Sequence, residues 1–145
     1  MAEELLRKTY YIHGADFDKA GETATEIKRI AKELGIDSGI IHRTVVIAFE
    51  AEMNVVMYAW EGTVTFVLTD EEIILEIVDK GPGIEDIEMA LTEGFSTATD
   101  KMREMGFGFG MGLPNIRKNA DEFKLESEVD VGTTVTAMIR LDSSA

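Results

Sequence analysis

Three stretches of this 145-residue chain carry side chains at spacings that can do chemistry. Glu50 and Asn54 stand four residues apart, about 400° of helical rotation, so a helix puts both on one face. A carboxylate there can accept a proton, and an amide oxygen one turn on is a hard ligand suited to Mg²⁺. The second stretch is Asp79–Lys80–Gly81–Pro82–Gly83, which follows an extended run. An Asp at a strand end can accept a hydrogen bond from a ligand amino group, and Gly81 and Gly83 let backbone approach a flat ring closely. The third runs from Gly106 to Asn115, with glycine at 106, 108, 110 and 112. Alternating glycines expose successive N–H groups, and a helix N-terminus adds partial positive charge, so together they can cradle a phosphate. Taken singly, each stretch has a plainer reading: a solvated polar stripe, a Pro–Gly turn, a flexible loop.

The elements that must position these residues are legible from periodicity. Leu5 to Ile12 reads as a strand. Asp16 or Asp18 is placed to cap a helix that runs to about Leu34 and stops at Gly35. Asp37 or Ser38 then caps a helix over roughly 39–59, whose Val46, Phe49, Met53, Val56 and Met57 recur at three- and four-residue steps and predict a core-facing stripe. Thr63 to Leu68 and Ile73 to Val78 read as a hairpin across the Thr69–Glu72 link. A short helix is expected at 84–93 and a mobile loop over 94–112. Gly112–Leu113–Pro114 opens another helix, since proline suits a first turn. Phe123–Ser127 and Thr133–Leu141 close the chain as strands around a turn at Gly132. This order predicts one domain over 1–145, an α+β sandwich with a mixed, mainly antiparallel sheet and helices on one face.

Composition narrows the function. Fourteen Lys and Arg against 28 Asp and Glu leave a formal net charge of −14. A general nucleic-acid binder needs the opposite field, and an anionic membrane surface repels this one. An anionic ligand must therefore be held by local backbone donors or a metal. Cysteine is absent, which removes disulfides, thiolate metal sites and Cys nucleophiles. That absence, with a start lacking the apolar core of a signal peptide, points to the cytoplasm. No run approaches the ~18–20 apolar residues of a membrane span. Several motifs fail on spacing. The alternating glycines miss a dinucleotide fingerprint because Met111 and Leu113 stand where its last glycine belongs, and no Lys follows a glycine as a P-loop requires. Asp16 and Asp18 hint at a calcium loop that Ala20 and Ile27 break. His13 and His42 have nothing to pair them.

Order and separation join the three stretches. An E-x-x-x-N helix, then strand–D-x-G-x-G, then a glycine lid opening a helix, then Gly132–Thr133–Thr134 entering a last strand, resembles the GHKL ATPases with their Bergerat sandwich. Within them the chain resembles the small anti-sigma regulatory serine/threonine kinases of the RsbT and RsbW type, most of all over 79–97 and 110–123. The resemblance spans about Leu5 to Leu141. It implies that Glu50 is the general base, and that Asn54 holds a Mg²⁺ that bridges the ATP phosphates. It implies too that Asp79 accepts from the adenine amino group, with Gly81 and Gly83 shaping that wall. Gly106, Gly108, Gly110, Met111, Gly112 and Leu113 would wrap the phosphates, and Thr133 would support Asp79 and adenine. ATP and Mg²⁺ are the implied cofactors.

The implied acceptor is a Ser or Thr hydroxyl of a STAS-domain anti-anti-sigma partner in a partner-switching pathway. An alternative is a non-catalytic, ATP/ADP-gated module that binds a sigma factor, a STAS protein or an enzyme complex. A histidine-phosphorylating sensor domain is disfavoured because the chain lacks a phosphoacceptor helix pair. Both a homodimer and a larger assembly stay open.

Three features depart from the RsbT pattern. Residues 98–105 lengthen the lid ahead of its glycines, where Lys101 or Arg103 either meets the γ-phosphate or pairs with Asp100 and Glu104. Met53 stands where the pattern has a basic residue, and Glu52 adds a carboxylate about 200° from Glu50 that should point elsewhere. The lid is also unusually apolar, with Met102, Met105, Phe107, Phe109 and Met111 placed to pack on nucleotide or on a partner.

Overall fold

Five β-strands form one sheet in the order β1-β2-β3-β5-β4. The computed structural model describes residues 2–94 and 112–142. Strand β1 (Glu4–His13) leads through a short 3-10 turn at Phe17–Lys19 into helix α1 (Glu22–Glu33) and then α2 (Ser38–Tyr58). The hairpin β2 (Glu61–Thr69) and β3 (Glu72–Lys80) follows, then a single turn of helix, α3 (Ile87–Ala90). Among the described residues, α4 (Gly112–Asn119), β4 (Glu122–Glu128) and β5 (Gly132–Arg140) come next. Among the described residues every strand pairing is antiparallel, so the sheet there is not mixed. The expected helix over 84–93 contracts to α3. The expected mobile loop lies, apart from its two ends, outside the described residues.

Alternation sorts the sheet into two faces. Ile12, Val64, Phe66, Leu68, Ile73, Leu75, Ile77, Val135, Ala137 and Ile139 line one face and join α1, α2 and Ile116 of α4 in a single core. Helices therefore cover one face, as the sequence pattern requires. Local chemistry sets the junctions. Asp37 caps α2, its carboxylate accepting from Gly39 N at 3.0 Å and Ile40 N at 3.3 Å, a device worth ~1 kcal/mol. Thr69 closes the β2–β3 hairpin by accepting from Glu71 N and Glu72 N at 3.1 and 2.9 Å.

Two expectations about the helices change. Neither Asp16 nor Asp18 caps α1. Its N-cap is Gly21, in the left-handed region at φ 97° with no side-chain cap of its own. The α2 stripe also shifts. Met53 and Val56 are buried, but Phe49 is 38% exposed, and the buried set instead includes Ile40, Thr44, Ile47, Ala48, Ala51 and Val55. The cause is that α2 packs on α1, α4 and the sheet together, so more of its circumference is buried than one stripe.

Candidate functional site

Helix α2 and the first turn of α4 build one half of the site. Glu50 is half-buried on α2, and its burial pushes the carboxyl above the usual carboxylate range. A hydrogen bond from the Asn115 side chain on α4 pulls it partway back. Asn54 lies one turn along. Gly112 marks where they converge: a Cβ added there would stand 3.1 Å from Asn54 Oδ1 and 3.3 Å from Glu50 Oε2. Glycine at the head of α4 thus leaves open a space bordered by two oxygens. Leu113, the next residue, packs against the core and anchors that turn.

A row across one end of the sheet builds the other half. Asp79 near the end of β3 is half-buried, which pushes its carboxyl up, while the backbone N–H of Thr133 opposes the shift. That N–H donates to Asp79 Oδ1 at 3.0 Å. Gly62 pairs with Asp79 on β2; a Cβ there would meet Asp79 Cβ at 3.2 Å and Val55 Cγ1 at 3.1 Å. Gly62 therefore makes room for Asp79 beneath the α2 residue that follows Asn54. Gly132 does the same by backbone, since its Cβ would stand 2.0 Å from the Asp79 carbonyl oxygen. On β4, Ser127 pairs with Thr133, and their hydroxyl oxygens are 2.9 Å apart.

The glycines after Asp79 have packing reasons. Gly81 donates to Val131 O at 3.1 Å, and a Cβ on it would press within 3.0 Å of Ala59 Cα at the end of α2. Gly83 has φ +74°, and its Cβ would fall 2.3 Å from Glu128 O. The loop is thereby pinned to the β4–β5 turn, where Asp130 N also donates to Pro82 O at 2.8 Å.

Of the sequence candidates, the structure brings Glu50, Asn54 and Gly112 together at one place, and Asp79, Thr133, Gly81 and Gly83 together at another. Lys101, Arg103, Gly106, Gly108, Gly110 and Met111 lie outside the described residues. His13 is exposed and stacks edge-on against Tyr11 at 4.8 Å; His42 is exposed. Three contributors escaped sequence reasoning: Gly62, Asn115 and Ser127. Strand register identifies Gly62 and Ser127, and an i+3 offset from Gly112 on a helix identifies Asn115.

The oxygen pair fits a hard cation. Asn54 Oδ1 and Glu50 Oε2 are the donor type Mg²⁺ takes, beside space for its waters. Among the described residues no group of three or more His, Cys, Asp or Glu gathers to form an all-protein cage.

Residues 39–143 match the profile of the histidine kinase-, DNA gyrase B- and HSP90-like ATPases. The chain belongs to this family. Over 117 residues it is 32% identical to the serine/threonine-protein kinase RsbT of Bacillus subtilis, covering 77% of this chain and 80% of that protein. It is 29% identical over 133 residues to an anti-sigma F factor of Caldanaerobacter subterraneus, covering 92% and 81%. Its fold is similar to that of the RsbU and RsbW domains of a Mycobacterium tuberculosis protein (TM-score 0.60, 17% identity, 92% of this chain and 32% of that one). It is also similar to the SiaB–SiaC complex of Pseudomonas aeruginosa (TM-score 0.62, 11% identity, 94% and 90%). These two likenesses concern the fold alone. Among the described residues no helix is long and apolar enough to cross a membrane.

Proposed function

We propose that the chain is a Mg·ATP-dependent serine/threonine protein kinase that phosphorylates a STAS-domain partner in a partner-switching pathway. The observation that carries this reading is the convergence of Glu50 Oε2 and Asn54 Oδ1 on Gly112 at the head of α4. The kinase and anti-sigma names of its relatives support it. In this reading Asp79 accepts the exocyclic amino group of adenine, with Thr133 beside it. Gly112, Leu113 and the lid glycines 106, 108 and 110, with Met111, face the phosphates, and Lys101 or Arg103 meets the γ-phosphate. Asn54 would hold Mg²⁺, which would supply charge neutralisation on the phosphate oxygens when bound.

Phosphoryl transfer asks chiefly for positioning and charge. The partner's hydroxyl oxygen forms a bond to the γ-phosphorus. The bond from that phosphorus to the β–γ bridging oxygen breaks, and ADP leaves with the electron pair. The hydroxyl proton passes to Glu50. Burial suits Glu50 to this work, because a carboxylate whose pKa is raised holds a proton more strongly than an exposed one. Asn115 fixes its orientation through their hydrogen bond.

The test is calorimetric titration of Mg·ATP into wild type and Asp79→Asn, followed by phosphate transfer from labelled ATP to a panel of STAS-domain proteins of the same genome. Expected are saturable binding near one per chain, its loss in Asp79→Asn, and transfer that Glu50→Ala abolishes while ATP still binds. A Glu50→Ala protein that transfers phosphate at the wild-type rate removes Glu50 as the base. Absence of ATP binding to folded wild type overturns the reading. Wild type that binds ATP, transfers no phosphate, and changes its affinity for a partner between ADP and ATP is the gated module instead.

A further inference from the structure

Helix α4 is tied to α2 at two levels. At the N-terminal end of α4, Asn115 hydrogen-bonds Glu50, and a Cβ at Gly112 would meet both Glu50 and Asn54. At its C-terminal end stands Arg43, which the reaction above does not use. Arg43 Nε donates to Asn119 O at 2.9 Å, and Arg43 Nη2 donates to Asp121 Oδ1 at 3.0 Å. The Arg43 side chain is 16% exposed, so water screens this pair far less than a surface one. Asn119 ends α4, and the last carbonyls of a helix have no partner within it. A cation there also meets the negative end of the helix dipole. Asp121 is itself fixed to the sheet. Its Oδ2 accepts from Arg140 N at 2.8 Å, and its N–H donates to Met138 O at 2.8 Å.

Arg43 and Glu50 are seven residues apart, about two turns, so they lie on one face of α2 roughly 10 Å from each other. Along α4 the matching contacts run the other way: Asn119 meets Arg43, while Asn115 and Gly112 meet Glu50 and Asn54. The two helices are therefore antiparallel. Between the ties, α4 rests on the core through Pro114 and Ile116, both buried. Apolar burial is non-directional. It sets how close α4 lies to α2, not how far α4 slides along it. Hydrogen bonds are directional and set the slide. One residue of slide is about 1.5 Å, enough to close the space at Gly112, where a Cβ would already stand 3.1 Å from Asn54 Oδ1. Within α4, Asn119 Nδ2 donates to Asn115 O at 2.8 Å, which stiffens the stretch between the two levels.

We propose that Arg43 is a positioning residue for the nucleotide site, an inference that rests on the Mg·ATP reading above. By pinning the C-terminal end of α4 it sets where Gly112 and Asn115 stand against Asn54 and Glu50, about two helical turns away.

The experiment measures Mg·ATP affinity by calorimetry in wild type, Arg43→Met, Arg43→Lys, Gly112→Ala and the Arg43→Met/Gly112→Ala pair, each at a temperature where circular dichroism shows it folded. Arg29→Met is the control, since it removes an exposed arginine of α1 that pairs with Glu26 and Glu33. Arg43→Met should bind about tenfold more weakly, and Arg29→Met as wild type. Lysine reaches one acceptor but lacks the fork that bridges both, so Arg43→Lys should lose about threefold. The decisive readout is coupling between Arg43 and Gly112. Independent losses at sites this far apart multiply. If Arg43 acts by placing Gly112, the double variant falls well short of the product of the single losses, because a displaced α4 no longer keeps the space that a Cβ fills. Losses that multiply mean that Arg43 supports the fold in general, and they overturn the proposal. Wild-type affinity in folded Arg43→Met overturns it as well, as does a Gly112→Ala protein that binds like wild type. If Arg43→Met does not fold, Arg43→Lys takes its place, alone and with Gly112→Ala, under the same criteria. Wild type that binds no Mg·ATP overturns the nucleotide reading along with this proposal. Wild type that binds Mg·ATP but transfers no phosphate overturns the kinase reading alone, and coupling between Arg43 and Gly112 then still supports the proposal.

Discussion

Glu52 offers the sharpest test of how this fold is held together. It is 2% exposed, on α2 between Glu50 and Asn54, and it points away from both. Its Oε2 accepts from Gly21 N at 3.0 Å and Thr23 N at 3.3 Å, and its Oε1 from Ala24 N at 3.1 Å. These are donors of the first turn of α1, which no residue of α1 itself can satisfy. A carboxylate at a helix N-terminus also meets the positive end of the macrodipole. One side chain of α2 therefore caps a neighbouring helix and joins the two rigidly.

Replacing Glu52 removes an acceptor from three N–H groups, two of them in buried bonds. Each buried donor left unsatisfied costs about 1–3 kcal/mol. The gain in helix propensity from alanine is only a few tenths of a kcal/mol. Partial entry of water lowers the sum, so Glu52→Ala should cost about 3–5 kcal/mol, against typical domain stabilities of about 5–15 kcal/mol. Glutamine keeps one oxygen but turns an NH₂ toward a donor, and should cost about 2–3 kcal/mol. Urea unfolding followed by far-UV circular dichroism measures both; Trp60, 65% exposed, is a poor fluorescence reporter. Glu50→Gln is the control from the same helix, and it should cost little because burial already disfavours the charge there. A loss below ~1 kcal/mol in Glu52→Ala, or one equal to that of Glu50→Gln, refutes the cross-helix cap.

Gly112→Ala should separate stability from binding: helix propensity leaves the melting temperature unchanged or slightly higher, while a Cβ against Asn54 and Glu50 lowers Mg·ATP affinity about tenfold, and unchanged affinity by calorimetry would show that the space at Gly112 is not used. Asp79→Asn should alter the pH dependence of stability in the absence of nucleotide. Burial holds the folded Asp79 carboxyl above its ordinary 3.8, so the fold binds this proton more tightly than the unfolded chain and loses stability as pH rises through that window. Asparagine cannot ionise, so the variant's stability relative to wild type should improve from pH 3 to pH 7; a difference that is flat or falls across that range contradicts the assignment.

What the sequence could reveal follows from what each residue depends on. Glu50, Asn54 and Asp79 were legible because their chemistry is in their type and their spacing is set by one element. The α2 boundaries and the Asp37 cap were legible for the same reason. Gly62 and Ser127 depend on which strands are neighbours and in what register. Gly62 looks like any strand glycine until β2 is laid against β3 with position 62 opposite 79. Ser127 looks like a polar residue ending a charged strand until β4 pairs with β5. Phe49 was misplaced because periodicity assumes one buried face, and α2 has neighbours on several sides.

Glu52 shows where residue-by-residue reasoning stops and why. Its direction, about 200° from Glu50, follows from helical geometry, but its destination does not. Asp16 and Asp18 are the residue types that cap helices, yet the chain turns through a left-handed Gly21 and enters α1 beyond them. That leaves the first turn of α1 without a local acceptor, and a glutamate 28–31 residues later fills the place. The two carboxylates of α2 thus divide the work by orientation alone. Glu50, half-buried at an open space, is available for proton transfer in the proposed reaction. Glu52, fully committed to backbone donors, holds α1 against the helix that carries the site.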